Sequence, residues 1–432
     1  YLTDYSTEEL REDCSGAYAE ARFPGGAAPV RRLDDETYML ELWHGPTAAF
    51  KDMALQIMPR LLSRALVKTG EKRTALILVA TSGDTGKAAL EGYRDIPGTK
   101  IQVFYPVDGV SEVQKLQMMT QEGKNVSVAA IRGNFDDAQS GVKRIFADED
   151  TKSALNEHGV FLSSANSINW GRLAPQIVYY VSAYCDMVRN GAIQLGELMD
   201  VCVPTGNFGN IFAAYIAKRM GLPVGTLICA SNKNNILTDF LNTGVYDRNR
   251  TFYTTMSPSM DILISSNLER LLYLIAGPEK TASYMKQLSE TGRYEVDKEV
   301  LEEIQKNFRA YFCDEEKCAA TIRGMFRKYS YLLDPHTSVA VYAAERFITD
   351  YQTGNKNIVA STASPYKFAA DVMRSLDKSV EGLSDKEILQ ALSDYSKTDI
   401  PAPLAALFTK KVRFSDSIQK DTDSMEKAVL NA

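Results

Sequence analysis

The chain has 432 residues, 45% of them apolar and 24% charged, with a formal net charge of −6. That length predicts two or three packed units rather than one small domain, and the acidic balance offers no basic stripe for a nucleic acid. No apolar run approaches ~18 residues, so no membrane span is expected, and six cysteines without a CxxC pair beside three histidines fit reduced thiols in a cytoplasmic protein better than a metal or disulfide framework.

In chain order, residues 1–33 read as polar and helical up to the PGGAAP turn cluster. TYMLELWHG follows as a strand running into a glycine turn, then MALQIMPRLLSRAL as a helix interrupted by Pro59. RTALILVATSGDTGKAALEGYRDI has the pattern of a strand from Ala75 to Ala80, a Gly/Ser/Thr loop and a helix opening at Gly86 or Lys87. KIQVFYP, SVAAIRG and GVFLSSANS predict further strands between helical segments. A second strand–loop–helix stands at MDVCVPTGNFGNIFAAYIAKRMGLP, and the apolar strand of NIVASTASP ends in another Ser/Thr loop. Strands alternating with helices predict mainly parallel sheets covered on both faces, with ligands beyond the carboxyl ends of the strands.

Four loops carry candidate chemistry. In PTGNFGN (204–210), Gly206 and Gly209 permit a tight turn whose N–H groups converge at a helix start, which suits a phosphate; a ligand-free glycine turn is the ordinary alternative. TSGDTG (81–86) places hydroxyls and N–H groups at another helix start, fit for a carboxylate or for simple capping by Ser82, Asp84 or Thr85. It is no nucleotide P-loop, because Thr81 and Ala88 replace the required glycine and hydroxyl. SSANSINWGR (163–172) gathers hydroxyls and amides before Arg172, a side chain suited to phosphate or carboxylate, although surface arginines in polar loops are common. Lys51, in ELWHGPTAAFKDMAL, is either a solvated helix-start lysine or a partly desolvated amine able to form a Schiff base. Taken together, an amine, a phosphate cradle, a carboxylate loop and a Ser/Thr strand end suit pyridoxal phosphate, whose aldehyde, phosphate and ring nitrogen each need a partner.

HGPTAAFKD, TSGDTG, SANSIN, PTGNFGN and DPHTSVA, in this order, resemble the threonine synthase family, from about residue 15 to the C-terminus. The resemblance implies an α/β, tryptophan-synthase-β-like fold of pyridoxal-phosphate enzymes, with large and small parallel-sheet domains. The expected division is a helical remnant over 1–35, a large domain over 36–80 and 165–375 with a helical insertion at about 233–330, a small domain over 81–164, and a helical tail over 376–432. Full-length members of the family carry a further N-terminal segment, and with Tyr1 in first place the chain is expected to lack it.

By resemblance, Lys51 holds the cofactor and then moves protons. Gly206, Asn207, Phe208, Gly209 and Asn210 hold its phosphate, and Thr362 in STASP meets the pyridine nitrogen as a neutral hydroxyl. Ser82, Asp84 and Thr85 match the loop that receives the substrate's α-carboxylate. Related enzymes of the fold place Asn where Asp84 stands, which leaves the role of Asp84 open. The reaction implied is O-phospho-L-homoserine plus water to L-threonine plus phosphate. It needs a second anion site, for which Ser164, Asn166, Ser167, Asn169 and Arg172 are the candidates, with Lys115 and the SSN at 265–267 behind them. His44 and His336 are read as structural. Ala48 departs from the larger aliphatic residue of many relatives. The expected partner is the small substrate, with no nucleic acid or membrane, in a monomer or weak dimer without a metal. The rival readings are a phospholyase that stops at 2-oxobutyrate and a non-catalytic binding protein of the same fold.

Overall fold

The computed structural model describes residues 2–81, 83–107 and 110–432. The chain divides into two units, one of segments ending at Ala27, His44–Pro175 and Ile400–Ala432, the other of Ala28–Trp43 and Gln176–Asp399.

The first unit is built on a five-stranded, wholly parallel sheet in the order Ser417–Gln419, Val126–Arg132, Thr99–Pro106, Thr74–Ala80, Val160–Ser164. From Ala75 to Ala80, TALILVA is apolar at every position because both faces of the sheet are covered. Ala75, Ile77 and Val79 pack on one face with Leu55, Met58 and Leu90, and Leu76 and Leu78 on the other with Ala138, Ile145, Leu155 and Met425. This is the two-residue alternation of a strand sandwiched between helices. Thr74–Ala80, assigned from sequence to the larger domain, is thus an inner strand of this sheet. The C-terminal segment, expected to be helical, supplies its edge strand Ser417–Gln419 before the helix Thr422–Leu430.

The helix expected to be interrupted at Pro59 is broken just ahead of it, between Asp52–Leu55 and Met58–Thr69, and Pro59 opens the second piece. It stands in the first turn of Met58–Thr69, where no backbone donor is needed and the fixed φ already suits the helix. Among the described residues up to 33, only Thr7–Ala17 is helical, with a capping box between Ser6 and Glu9.

The second unit holds a six-stranded sheet in the order Val30–Arg32, Thr37–Glu41, Lys356–Ser361, Met199–Pro204, Val224–Ser231, Phe308–Phe312. All neighbours are parallel except the first pair. MDVCVP is buried along its whole length, as an inner strand must be. The mostly helical stretch at 233–330 also contains the antiparallel pair Val245–Asp247 and Arg293–Glu295. All six cysteines are free thiols, and among the described residues no helix is long and apolar enough to cross a membrane.

Candidate active site

Lys51 sits in the first unit, immediately before the short helix Asp52–Leu55. The turn ahead of it is locked by Asp52, whose carboxylate accepts the Thr47 N–H and the Thr47 hydroxyl, both at 2.8 Å. Gly45 is required beneath this clamp, since a Cβ there would lie 2.6 Å from the Asp52 carboxylate and 2.8 Å from Phe23. Ala48 takes a left-handed φ of 57°, which non-glycine residues seldom adopt and which disfavours bulkier or branched side chains.

The Lys51 amine is 9% exposed and lies 4.9 Å from the centre of the Phe50 ring. It also lies 3.4 Å from Asp84 Oδ2, so the sequence neighbourhood understates the acid near it. Burial favours the neutral amine and the carboxylate favours the ammonium.

Asp84 opens the helix Asp84–Tyr93, where the helix dipole stabilises its charge. Of the three residues proposed as caps, Ser82 lies outside the described residues, and Thr85 is half-buried. The loop is instead organised by Thr81, missed from sequence, whose hydroxyl accepts the Gly83 and Gly86 N–H groups at 3.0 and 2.9 Å. Gly83, at φ 141°, adopts a conformation that L side chains avoid. The other Asp84 oxygen accepts a 2.8 Å hydrogen bond from the Gln114 amide, a second residue that the sequence did not single out.

The loop 163–172 is largely satisfied by its own groups. Ser164 Oγ accepts the Asn166 N–H, Asn169 Nδ2 donates to the Ser164 carbonyl at 2.9 Å, and Asn169 Oδ1 accepts the Gly171 N–H at 2.8 Å. Arg172 is buried and donates to the Ala165 carbonyl at 3.0 Å. Burial lowers its pKa to about 10, against a smaller upward pull from Tyr93. Asn166 is exposed, and Ser167 and Asn169 are half-buried. Lys115 pairs at 2.7 Å with Glu112 on its own helix, and His44 is half-buried.

In the second unit, Met199–Pro204 ends in the glycine loop and the helix Gly209–Arg219. Phe208 makes the entry with φ 61°, and no side chain caps this helix. Ser265 Oγ donates to the Gly206 carbonyl at 2.7 Å, and Asn267 Nδ2 to the Asn207 carbonyl at 2.9 Å. The SSN at 265–267, offered from sequence for a substrate anion, thus ties down the carbonyls of the glycine loop. Gly206 is pressed on the chain behind it, since a Cβ would come 2.9 Å from the Ser259 carbonyl and 3.0 Å from Met260 Cα. The Asn210 side chain turns to the preceding helix, where its Oδ1 accepts from the Tyr179 and Tyr180 hydroxyls. Its Nδ2 is buried without a hydrogen-bond partner.

Asp334 organises the remaining loop. Its carboxylate holds His336 Nδ1 at 2.9 Å and the Thr337 hydroxyl. His336 Nε2 in turn accepts the Ser259 N–H at 3.2 Å, which fits the structural role expected of it. Thr337 Oγ1 accepts the N–H of the buried Thr362 at 3.2 Å. Among the described residues, no group of three or more His, Cys, Asp or Glu could hold a metal ion.

The family model for pyridoxal-phosphate-dependent enzymes matches residues 26–363, and that for the threonine synthase C-terminal region matches 337–429. The chain is 43% identical over 382 residues to human threonine synthase-like 1, covering 86% of this chain and 51% of that protein. It spans about half the length of such relatives. To threonine synthase of Pseudomonas aeruginosa it is 40% identical over 379 residues, covering 87% of this chain and 76% of the relative. Among solved structures, the pyridoxal-phosphate-bound threonine synthase of Brucella melitensis superposes with a TM-score of 0.86 at 36% identity, covering 100% of this chain and 86% of that one. The yeast enzyme gives 0.86 at 34%, covering 98% and 84%.

Proposed function

Because the chain belongs to the pyridoxal-phosphate-dependent enzyme family, and within it to the threonine synthases, we propose that it converts O-phospho-L-homoserine and water to L-threonine and inorganic phosphate, the last step of threonine biosynthesis. The observation that carries this reading is the buried Lys51 amine facing Asp84 at 3.4 Å on a turn clamped by Thr47 and Asp52.

The residues present fit the cofactor. Lys51 offers a buried primary amine for its aldehyde. The uncapped helix start at Gly209, with the Gly206 and Asn207 carbonyls already engaged, offers N–H groups for its phosphate. Thr362 offers a neutral hydroxyl to its ring nitrogen. When bound, pyridoxal phosphate supplies the electron sink that makes protons on the substrate carbons removable.

Within this reading Lys51 removes the Cα proton and later returns it, and Asp84 stabilises the ammonium in between. The helix start at Asp84, with Ser82 and Thr85, holds the substrate α-carboxylate. The loop with Ser164, Asn166, Ser167 and Asn169 receives the substrate phosphate, and Arg172 shapes that loop through the Ala165 carbonyl. Cβ gives up a proton, and that electron pair forms a bond to Cγ as the bond between Cγ and the phosphate oxygen breaks with its electrons going to phosphate; Cγ then takes up a proton, and water adds its oxygen at Cβ and releases a proton. The test is product analysis of the reconstituted chain. Equal amounts of phosphate and threonine, lost in Lys51→Ala, support the reading. Oxobutyrate and ammonia without threonine replace it with a phospholyase, and no phosphate release leaves a binding protein.

A further inference from the structure

We propose that Gln114 is a positioning residue for the reactive lysine: its amide sets the Asp84 carboxylate that faces the Lys51 amine. The role in cofactor chemistry rests on the reading of Lys51 above, but the side-chain relay stands on geometry. Gln114 is the third residue of the helix Glu112–Met119, and it forms a capping box with Ser111. Its Oε1 accepts the Ser111 N–H at 3.4 Å and the Ser111 hydroxyl at 3.2 Å, while its own N–H donates to Ser111 Oγ at 3.3 Å. Two donors thereby hold the amide oxygen, which fixes the amide nitrogen on the opposite side. That nitrogen donates to Asp84 Oδ1 at 2.8 Å, and Asp84 Oδ2 lies 3.4 Å from the Lys51 amine.

Two further features point the same way. A Cβ on Gly83 would come within 2.5 Å of the Gln114 side-chain amide, so the TSGDTG loop and the glutamine are shaped around each other. A capping box is served as well by Glu as by Gln. Only the amide can meet both Ser111 and a carboxylate, since two carboxylates at this distance disfavour joint ionisation. The cap alone therefore does not account for Gln at this position. Among the described residues, other ionisable groups on the neighbouring segments have partners of their own. Asp52 is bonded to Thr47, Lys87 to Glu91 and Gln121, and Glu112 to Lys115, while Tyr105 is buried on the strand Thr99–Pro106.

Gln114→Glu keeps the cap and side-chain shape but turns the donor into an acceptor. The pH profile of Lys51 acetylation, followed by peptide mass spectrometry on the cofactor-free chain, should move down by about half a unit, because Asp84 then shares a proton with the introduced carboxyl group and the charge facing the amine is partly neutralised. Gln114→Met removes the donor without adding charge, and should raise the dissociation constant for pyridoxal phosphate about tenfold. A labelling profile in Gln114→Glu that superimposes on wild type overturns the inference, as does wild-type cofactor affinity in Gln114→Met. Wild-type protein that fails to take up the cofactor on Lys51 would instead overturn the proposed function, and the labelling profile would still decide the relay.

Discussion

Gly92 lies where two backbones touch. A Cβ built on it would stand 1.9 Å from the Leu55 carbonyl oxygen and 2.8 Å from the carbonyl carbon, both backbone atoms with no flexible end to yield. Gly92→Ala must therefore separate the helix Asp84–Tyr93 from the segment Asp52–Leu55 by about 1.5 Å to restore an ordinary contact. The Leu55 N–H is bonded to the Lys51 carbonyl at 3.0 Å, so this turn moves as a unit and carries Lys51 with it. A 3.4 Å amine–carboxylate separation then lengthens beyond ion-pair range. Overpacking of this kind costs about 1–3 kcal/mol, which predicts a drop in Tm of about 5 °C. The assay is thermal unfolding of the cofactor-free chain, with cofactor uptake measured in parallel. Wild-type Tm and wild-type uptake in Gly92→Ala would refute the argument that these helices are held at backbone contact and that Lys51 depends on it.

Three other perturbations follow from the same geometry. Thr47→Val removes one of the two 2.8 Å bonds to Asp52 and should cost about 1.5–3 kcal/mol in chemical unfolding, the range for a hydrogen bond to a charged group; an unchanged denaturation midpoint would contradict the clamp. Gly206→Ala forces the glycine loop off the Ser259 carbonyl and should weaken cofactor retention at least tenfold in dialysis with little loss of secondary structure by circular dichroism. Burial pushes the Cys229 and Cys318 thiols up to about 12 and raises those of Cys202 and Cys313 as well. Little thiolate is then available at neutral pH, so native alkylation should mark the exposed Cys14 and Cys185 and reach the other four only after denaturation, as mass mapping would show.

What the sequence made legible was the part written in local pattern. TALILVA, MDVCVP and NIVAS are mainly apolar because each is an inner strand of a covered parallel sheet. The loops that follow them announce themselves through Gly, Ser and Thr at helix starts. The contacts that give those loops their chemistry are long-range and leave no local trace. Asp84 stands 33 residues from Lys51 and Gln114 a further 30 from Asp84, so neither separation is a period that a helix or strand imposes. Ser265 and Asn267 reach the glycine loop from about 60 residues away. Arg172 illustrates the converse. Its type suggested an anion ligand or an ordinary surface arginine, and the surface reading fails because it is buried, with its guanidinium donating to a carbonyl of its own loop. Pro59 could have been placed by helix-start chemistry alone, since a proline in a first turn is favourable and one in mid-helix is not. The edge strand Ser417–Gln419 is three residues long, too short for any alternation to show.

The central claim is that Lys51 makes this chain a catalyst of phosphate replacement by water. The most direct measurement is simultaneous quantification of phosphate, threonine and 2-oxobutyrate from O-phospho-L-homoserine, with the reconstituted chain and its Lys51→Ala variant. The account predicts threonine and phosphate in equal amounts from the wild-type chain and neither from the variant. Oxobutyrate in place of threonine, or turnover that survives the loss of Lys51, would contradict it.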